Sequence, residues 1–378
     1  MKNKVVMNVC AKHPPFDGRV YDKESKTLLK CGYEVHNSSP NITSQLTKDG
    51  IYLHGFPQGT GIIQRIKSLS ALRKVIEEVH PDSMTCHEPD ALFVAYNYYK
   101  AEKRKRRIRL YFDCHEAYEH WFDNATKYNV LNKCAGKILM TMINQTVARI
   151  DGVTSVNNTM TQRFKKYNSN SYFLPSVLKT DSNVDYESNH SSDLVYMGNF
   201  GASKQVEMFT GAAKILKEKG IKIKIAIIGG TKEEERNEES FENIVERENL
   251  QEYFDIKGWM PREKAFSELK QYGVGIMRFD SYTMPGNYAM PNKLFEYMSF
   301  GLAILSCDLN IEIKHIIEEH NCGILIENET AEALANAMIY IKDHPDAIES
   351  MKQNSYMATA EEYNWQSYEK LLKHMVEG

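Results

Sequence analysis

Short apolar runs alternate with longer amphipathic segments along the whole chain. Val5–Cys10 predicts a strand, and a polar loop from His13 to Arg19 follows it. Tyr21–Lys30 has helical periodicity and stops near Gly32, and Tyr33–His36 predicts a second strand. Ile62–Val79 predicts a long helix. Ser83–His87 (strand), Leu92–Lys103 (helix), Ile108–Cys114 (strand), Val130–Arg149 (helix) and Gly152–Val156 (strand) continue the series. Repetition of this kind predicts an α/β fold with a parallel sheet covered on both faces.

Ser176–Ser192 breaks the pattern. It is rich in Ser, Asn and Asp, has few apolar positions, and reads as a linker. The alternation then restarts with Leu194–Met197 (strand), Gln205–Lys217 (helix) and Ile221–Ile228 (strand). Asp255–Lys257 and Val274–Met277 predict strands, Asn292–Phe300 a helix, Leu302–Cys307 a strand and Ala331–Lys342 a helix. Ala358–Val376, with Trp365 inside it, predicts a final helix. The expected organisation is a first domain over 1–175, a linker over 176–192, a second domain over 193–357 and a terminal helix over 358–378.

Composition narrows the function. A chain of 378 residues exceeds one ordinary core and suits two domains. With 42% hydrophobic residues, 26% charged residues and a net charge of −3, nothing asks for nucleic acid as a partner. The seven cysteines form no CxxC pair, so reduced thiols in the cytoplasm are expected. Met1–Met7 lacks the apolar run of a signal peptide, and no stretch approaches a transmembrane helix in length.

Met290–Leu302 is the most specific segment. Pro291 suits the first helical position, and the amides of Asn292 and Lys293 would then point out of a helix start that favours phosphate. Glu296 lies three residues after Lys293 and four after Asn292, so all three share a face, and its carboxylate suits a pair of ribose hydroxyls. A plain surface helix with a Lys–Glu pair is the other reading.

This segment resembles the donor-binding helix of GT-B glycosyltransferases, specifically family 4, where the glutamate matching Glu296 binds the donor ribose. Other stretches match in order. Leu194–Phe200 resembles the first strand and glycine turn of the donor domain, with Gly198 and Asn199 in the turn. Lys204 stands where the family places a cation for the diphosphate. Phe254–Pro261, with Gly258, Trp259 and Met260, resembles the turn beside the nucleobase. Ala148–Val156 resembles the last strand of the acceptor domain, and Phe173–Ser176 the crossing between domains. The resemblance implies two Rossmann-like domains facing across a cleft, with the C-terminal helix crossing back to the first. It also implies a nucleotide diphosphate sugar donor and transfer with retention. Two positions depart from it. Many members carry a second glutamate where this chain has Tyr288, and an arginine where it has Asn199. The sugar-binding loop Ser281–Met290 is therefore unmatched in detail.

In the first half, Asp17 and Arg19 lie in the loop after the first strand, where the family often has an Asp-x-Arg loop. Arg19 is expected to meet the diphosphate or an anionic acceptor, or else to be held in place by Asp17. Asp113-Cys114-His115-Glu116 ends another strand and matches a family pattern whose histidine faces the donor sugar. His115 and Glu116 pairing within the loop is the alternative. Glu88 and Asp90 are expected to start the helix after Pro89. The basic run Lys103–Arg109 reads either as a solvated helix end or as a peripheral contact with anionic lipid.

No Asp-x-Asp, HExxH, paired Cys/His, GxSxG, GxxxxGK[ST] or early GxGxxG pattern is present. A metal-independent transfer is therefore expected. Arg19, Lys204 and Lys293 would stabilise the leaving diphosphate, Asn292 and Met290 would lie beside it, and His115 would hold the sugar. The acceptor is expected to be a glycan, a lipid-linked or a protein-linked group, with bacterial polysaccharide or glycoconjugate synthesis as the setting. A nucleotide-sugar 2-epimerase and a non-catalytic nucleotide-binding scaffold are the alternatives.

Overall fold

The computed structural model describes residues 3–116, 118, 130–179, 191–198, 203–229, 240–279 and 288–378, without the side chains of residues 130–133, 203 and 204. Asn199, residues 180–190 of the linker, residues 281–287 of the sugar-binding loop and the side chain of Lys204 lie outside that part. The chain divides into two compact units, Met1–Lys179 with Trp365–Gly378, and Thr180–Asn364.

The first unit runs β1 (Val5–Val9), a π-helical turn (Val20–Ser25) leading into α1 (Lys26–Lys30), β2 (Glu34–Pro40), β3 (Gln45–Leu46) and β4 (Tyr52–Phe56). It continues with α2 (Ile62–Val79), β5 (Ser83–Cys86), α3 (Pro89–Glu102), β6 (Arg109–Cys114), α4 (Val130–Val147), β7 (Gly152–Ser155), α5 (Asn158–Lys165) and β8 (Ser171–Phe173). The strand order is β3-β4-β2-β1-β5-β6-β7-β8. Every pairing is parallel except that of β3 with β4. Met7, Val9, Leu110 and Phe112 on the strands meet Leu72 and Ile76 of α2, Ala95 of α3 and Phe164 of α5 in one apolar core.

β2 outlasts the expected Tyr33–His36 because its polar half is buried and satisfied. Asn37 accepts from Ser25 (2.9 Å) and Asn8 (3.3 Å). Ser38 Oγ accepts from the Cys10 amide at 2.8 Å, and Ser39 Oγ donates to the His13 carbonyl at 2.9 Å. The hydrogen bonds remove the cost of burying Asn-Ser-Ser. Tyr21–Lys30 is likewise not one α-helix. It opens as a π turn, with the Glu24 amide bonded to the Arg19 carbonyl at 2.9 Å.

The second unit contains β9 (Leu194–Met197), α6 (Ser203–Glu218), β10 (Ile225–Ile228), α7 (Phe241–Arg247), β11 (Phe254–Gly258), α8 (Arg262–Leu269) and β12 (Val274–Ile276). α9 (Asn292–Ser299), β13 (Ala303–Cys307), α10 (Ile311–His320), β14 (Gly323–Ile326), α11 (Ala331–Asp343) and α12 (Pro345–Glu361) complete it. Its parallel sheet has the order β11-β10-β9-β12-β13-β14. Tyr196, Phe209, Ile227, Ile276, Leu305 and Leu334 belong to its core.

Ala358–Val376 is two helices, not one. α12 ends at Glu361, and the buried Asn364 side chain donates to the carbonyls of Thr359 (3.0 Å) and Ala360 (2.9 Å), closing the helix end. α13 (Trp365–Glu377) belongs to the first unit. Trp365 is fully buried there, its indole donating to Thr27 Oγ1 at 2.8 Å. Among the described residues, no helix is long and apolar enough to cross a membrane.

Candidate functional site

Each sheet reverses its strand order once, between β1 and β5 in the first unit and between β9 and β12 in the second. Ligands of such sheets bind beyond the carboxyl ends of the strands at that reversal. The chemically distinctive side chains of each unit gather there.

In the first unit the centre is Asp113, at the end of β6. Arg19 embraces it with two bonds, Nε to Oδ2 at 2.9 Å and Nη2 to Oδ1 at 3.0 Å. The same guanidinium donates to the Leu174 carbonyl (3.0 Å) and Ser176 Oγ (3.1 Å), and Glu24 Oε1 lies 3.2 Å from its Nε. Arg19 is 8% exposed, and its guanidinium is engaged within its own unit. Its holder is Asp113, not Asp17. The Asp17 carboxylate accepts instead from the Arg19 and Val20 amides, both at 2.8 Å, and shapes the loop that leads into the π turn.

Burial pushes the Asp113 carboxyl up, but Arg19, and then His115, overcome this and hold it well below the ordinary carboxylate range. Burial, reinforced by the charge of Asp113, raises Glu24 well above that range. Glu24, Asp113 and the Arg19 guanidinium thus form one buried cluster whose charges set one another. Glu24, His87, Asp113 and His115 bring ligand-type atoms within 4.8 Å of one another, a donor set that suits a divalent cation. The guanidinium of Arg19 already touches both carboxylates of that set and supplies the positive charge they require.

His115 is the member of the cluster nearest solvent, with its side chain 16% exposed. Its Nε2 lies 2.6 Å from Asp113 Oδ2. An ionised carboxylate only accepts, so Nε2 carries the proton and Nδ1 presents a lone pair. Burial outweighs the attraction of Asp113 and lowers the imidazole to about 4, which keeps it neutral near pH 7. A neutral ring with a fixed tautomer can accept a hydrogen bond from a hydroxyl. His13 and His87 stand beside it, with ring centroids 5.1 and 5.2 Å away. The partner that orients His115 is Asp113, and Glu116 is exposed next to it.

Glu88 stands at the N-cap of α3 and Asp90 in its first turn, as expected, but the Glu88 carboxylate makes no cap bond. It accepts from the amides of Ala11 (2.8 Å) and Lys12 (2.9 Å) and meets His13 Nδ1 at 2.6 Å, tying the loop after β1 to the end of β5. Within the basic run Lys103, Arg104, Lys105 and Arg107 are exposed, and Arg106 is tied into the unit. Arg106 bonds Glu102, Asp82, the Pro81 carbonyl and Tyr98, Lys105 bonds Glu102, and Tyr98 and Tyr99 are core residues.

In the second unit the site forms around the start of α9. Pro291 is extended (φ −73°, ψ 147°) and precedes the helix, so it occupies the cap and not the first helical position. The amides of Asn292 and Lys293 stand ahead of the first helical bond, Leu294 N to Pro291 O at 3.0 Å. Lys293 Nζ lies 4.4 Å over the Tyr196 ring and borders Gly198. Gly198 has φ +146°, and a Cβ there would stand 2.6 Å from Lys293 Nζ. Gly229, with φ +121°, would drive a Cβ to 2.2 Å from the Gly198 carbonyl. Only glycine lets these strand ends pack side by side, with the Gly198 and Gly229 amides donating to the carbonyls of Ile228 and Gly258, both at 2.8 Å.

Glu296 is 9% exposed and accepts from Arg262 Nη2 at 2.8 Å. Arg262 begins α8 and lies over Phe266 at 4.9 Å. It therefore links Glu296 to the Gly258–Pro261 turn, where Trp259 is 78% exposed and Met260 half-buried. Met290 is buried before the helix, and Tyr288 is half-buried in a short helical turn. Tyr297, on the inner face of α9, accepts from the Met197 amide at 2.7 Å and donates to the Ile276 carbonyl at 3.4 Å, which fixes α9 against β9 and β12.

Glu24, His13, His87, Arg262, Tyr297 and Gly229 complete these two clusters without having been singled out by sequence. His13 and His87 stood at strand ends, a signal that could have found them. Glu24 enters through a π turn, and nothing in its spacing from Arg19 announces that.

Residues 181–358 match the family described as glycosyl transferases group 1. No curated protein matches the chain in sequence. Among solved structures, sucrose-phosphate synthase from Thermosynechococcus elongatus is similar with a TM-score of 0.71 and 13% identity, over 100% of this chain and 98% of that one. WaaG, a glycosyltransferase involved in lipopolysaccharide biosynthesis, gives 0.68 and 13% over 99% and 100%. Anabaena HepE in complex with UDP gives 0.67 and 9% over 99% and 99%. A helix start, two glycines and a buried glutamate stand at one strand reversal of the unit that this match covers: residues 181–358 are similar to the group 1 glycosyl transferases, and the chain has the GT-B fold of those solved structures.

Proposed function

We propose that the chain moves a sugar from a nucleotide diphosphate donor to a glycan, lipid-linked or protein-linked acceptor, with retention and without a metal, in the manner of family 4. Polysaccharide or glycoconjugate synthesis is the setting we assign. The observation that carries this reading is Glu296, a carboxylate held on the face of α9 that also bears Lys293. Two carboxylate oxygens suit two vicinal hydroxyls of a ribose. The amides at the head of α9 and the Lys293 ammonium suit the diphosphate. The HepE structure, which holds UDP, supports a nucleoside diphosphate as the ligand.

In the reaction the bond from the anomeric carbon to the diphosphate oxygen breaks, and a bond to the acceptor oxygen forms on the same face. The acceptor proton passes to the departing diphosphate. We assign Lys293 and the α9 amides, with Lys204 as a second cation, to stabilising the leaving charge. His115 Nδ1 accepts from a sugar or acceptor hydroxyl.

The test is calorimetric titration with nucleoside diphosphates and their sugars in EDTA, followed by donor hydrolysis. Wild type is expected to bind one nucleoside diphosphate and release it slowly from one sugar donor. Glu296→Ala is expected to weaken binding at least tenfold, about 1.4 kcal/mol. Binding that survives this substitution unchanged would remove the ribose role from Glu296.

A further inference from the structure

Among the described residues of the first unit, the head of α2 carries the most exposed large apolar side chains. Ile62, Ile63 and Ile66 are 81%, 70% and 63% exposed. A single exposed isoleucine is ordinary, but three within five residues form a patch. The helix below them is normally built, since Leu72, Val75 and Ile76 of its later turns enter the core. Its start is poorly built for water. The cap is Gly61 with no side-chain bond, and two β-branched residues open the first turn.

The charge around the patch is one-sided. From Gly50 to Ile76 the sequence holds no Asp or Glu but does hold Arg65, Lys67, Arg73 and Lys74. Arg65 pairs with Asp90 and Arg73 with Glu77, while Lys67 is exposed one turn after Ile63 and Lys74 two turns further along α2, ahead of Glu77 and Glu78. An apolar tip with a positive helix start and flanking lysines has the chemistry of an interfacial anchor for an anionic surface.

We infer that the head of α2 docks this chain on an anionic phospholipid bilayer, with Ile62, Ile63 and Ile66 entering the headgroup–acyl boundary and Lys67 and Lys74 meeting lipid phosphates. The preceding loop supports this placement. Gln58 donates to the Ala11 carbonyl at 3.0 Å, and its amide donates to Asn41 Oδ1 at 2.8 Å, so the tip is braced against the loop after β1. That loop also carries His13, beside His115. A bilayer held at the tip therefore lies on the same edge of the first unit's sheet as the His115 cluster. The docking itself does not depend on the donor site.

The experiment is flotation of the full chain with vesicles of phosphatidylcholine alone and of phosphatidylcholine with 30 mol% phosphatidylglycerol. Wild type is expected to float with the anionic vesicles, at least tenfold less with the neutral ones, and less as salt rises. Ile62→Gln/Ile63→Gln/Ile66→Gln is expected to lose flotation at least tenfold while keeping its melting midpoint and nucleoside diphosphate binding, since these side chains are exposed on the first unit. Lys67→Glu/Lys74→Glu is expected to lose only the anionic preference. Three results would overturn the inference. Wild type and the triple variant could float equally. Flotation could depend instead on Arg104 and Arg107. Or wild type could fail to float but sediment as a dimer that the triple variant dissociates, which would give the patch to a second copy of the chain.

Discussion

The two sites stand at equivalent places in two parallel sheets, yet they use charge in opposite ways. In the first unit Arg19, Glu24 and Asp113 are all buried and bonded mainly to one another. In the second, Asn292 and Trp259 are exposed, Lys293 is half-buried, and the strand ends are stripped to glycine. The first arrangement is complete without a ligand and aims one neutral imidazole outward. The second has a helix start and a carboxylate that a ligand would complete. Resemblance grouped Arg19 with Lys204 and Lys293 as cations for one diphosphate, and burial separates Arg19 from them.

The sharpest way to break this comparison is to remove one cation from each site and measure stability. Arg19→Ala leaves the Asp113 carboxylate buried without its main partner, and loss of one member of a buried pair costs about 3–5 kcal/mol. Arg19→Lys should recover only part of this, since one ammonium cannot replace the two-point embrace together with the bonds to Leu174 and Ser176. Lys293→Ala should cost less than about 1 kcal/mol and act instead on ligand affinity. Denaturant midpoints check both. Equal losses would mean that Lys293 is as structural as Arg19.

The extent to which this was legible follows from how local each signal is. Ile62–Val79 and Leu194–Met197 have the expected bounds because their apolar period is uninterrupted. The face of α9 that carries Lys293 and Glu296 was readable because helix spacing alone sets it. The Arg19–Asp113 embrace joins residues 94 positions apart through strand order, which periodicity does not encode. The end of β2 was missed because Asn37, Ser38 and Ser39 look like a loop until their partners are known. The break before Trp365 depends on Asn364, whose capping role needs the fold of both neighbouring helices.

A smaller effect would sharpen the picture of the second site. Arg262 bonds Glu296 Oε1, an oxygen that keeps a second lone pair, so both oxygens can still accept. Its side chain is 59% exposed, so the pair is worth at most about 1 kcal/mol. Arg262→Ala is expected to weaken nucleoside diphosphate binding by about fivefold, less than Glu296→Ala, because the carboxylate stays but loses its brace. Calorimetric titration of the two variants orders them. Tighter binding by Arg262→Ala would show that the guanidinium competes with the ligand for Glu296.

A further expected effect is a pH dependence carried by the first unit. His115 takes its proton near 6.5 in the unfolded chain and near 4 in the folded one, because burial outweighs Asp113. Between these values the unfolded state binds more protons, so this contribution to stability is present above about 6.5 and is lost as pH falls through about 4. His54, held down to about 4 mainly by burial, adds a change of the same sign. Glu24, raised by burial and Asp113, adds one of the opposite sign, present at low pH and lost as pH rises. The wild-type slope alone is therefore a sum, and the informative quantity is its difference from His115→Gln. The variant should lose less stability than wild type between pH 6.5 and 4.5, by about 1–2 kcal/mol. Identical slopes would mean that His115 titrates like an imidazole in water. Its fixed tautomer, and with it the lone pair aimed at a hydroxyl, would then have to be given up.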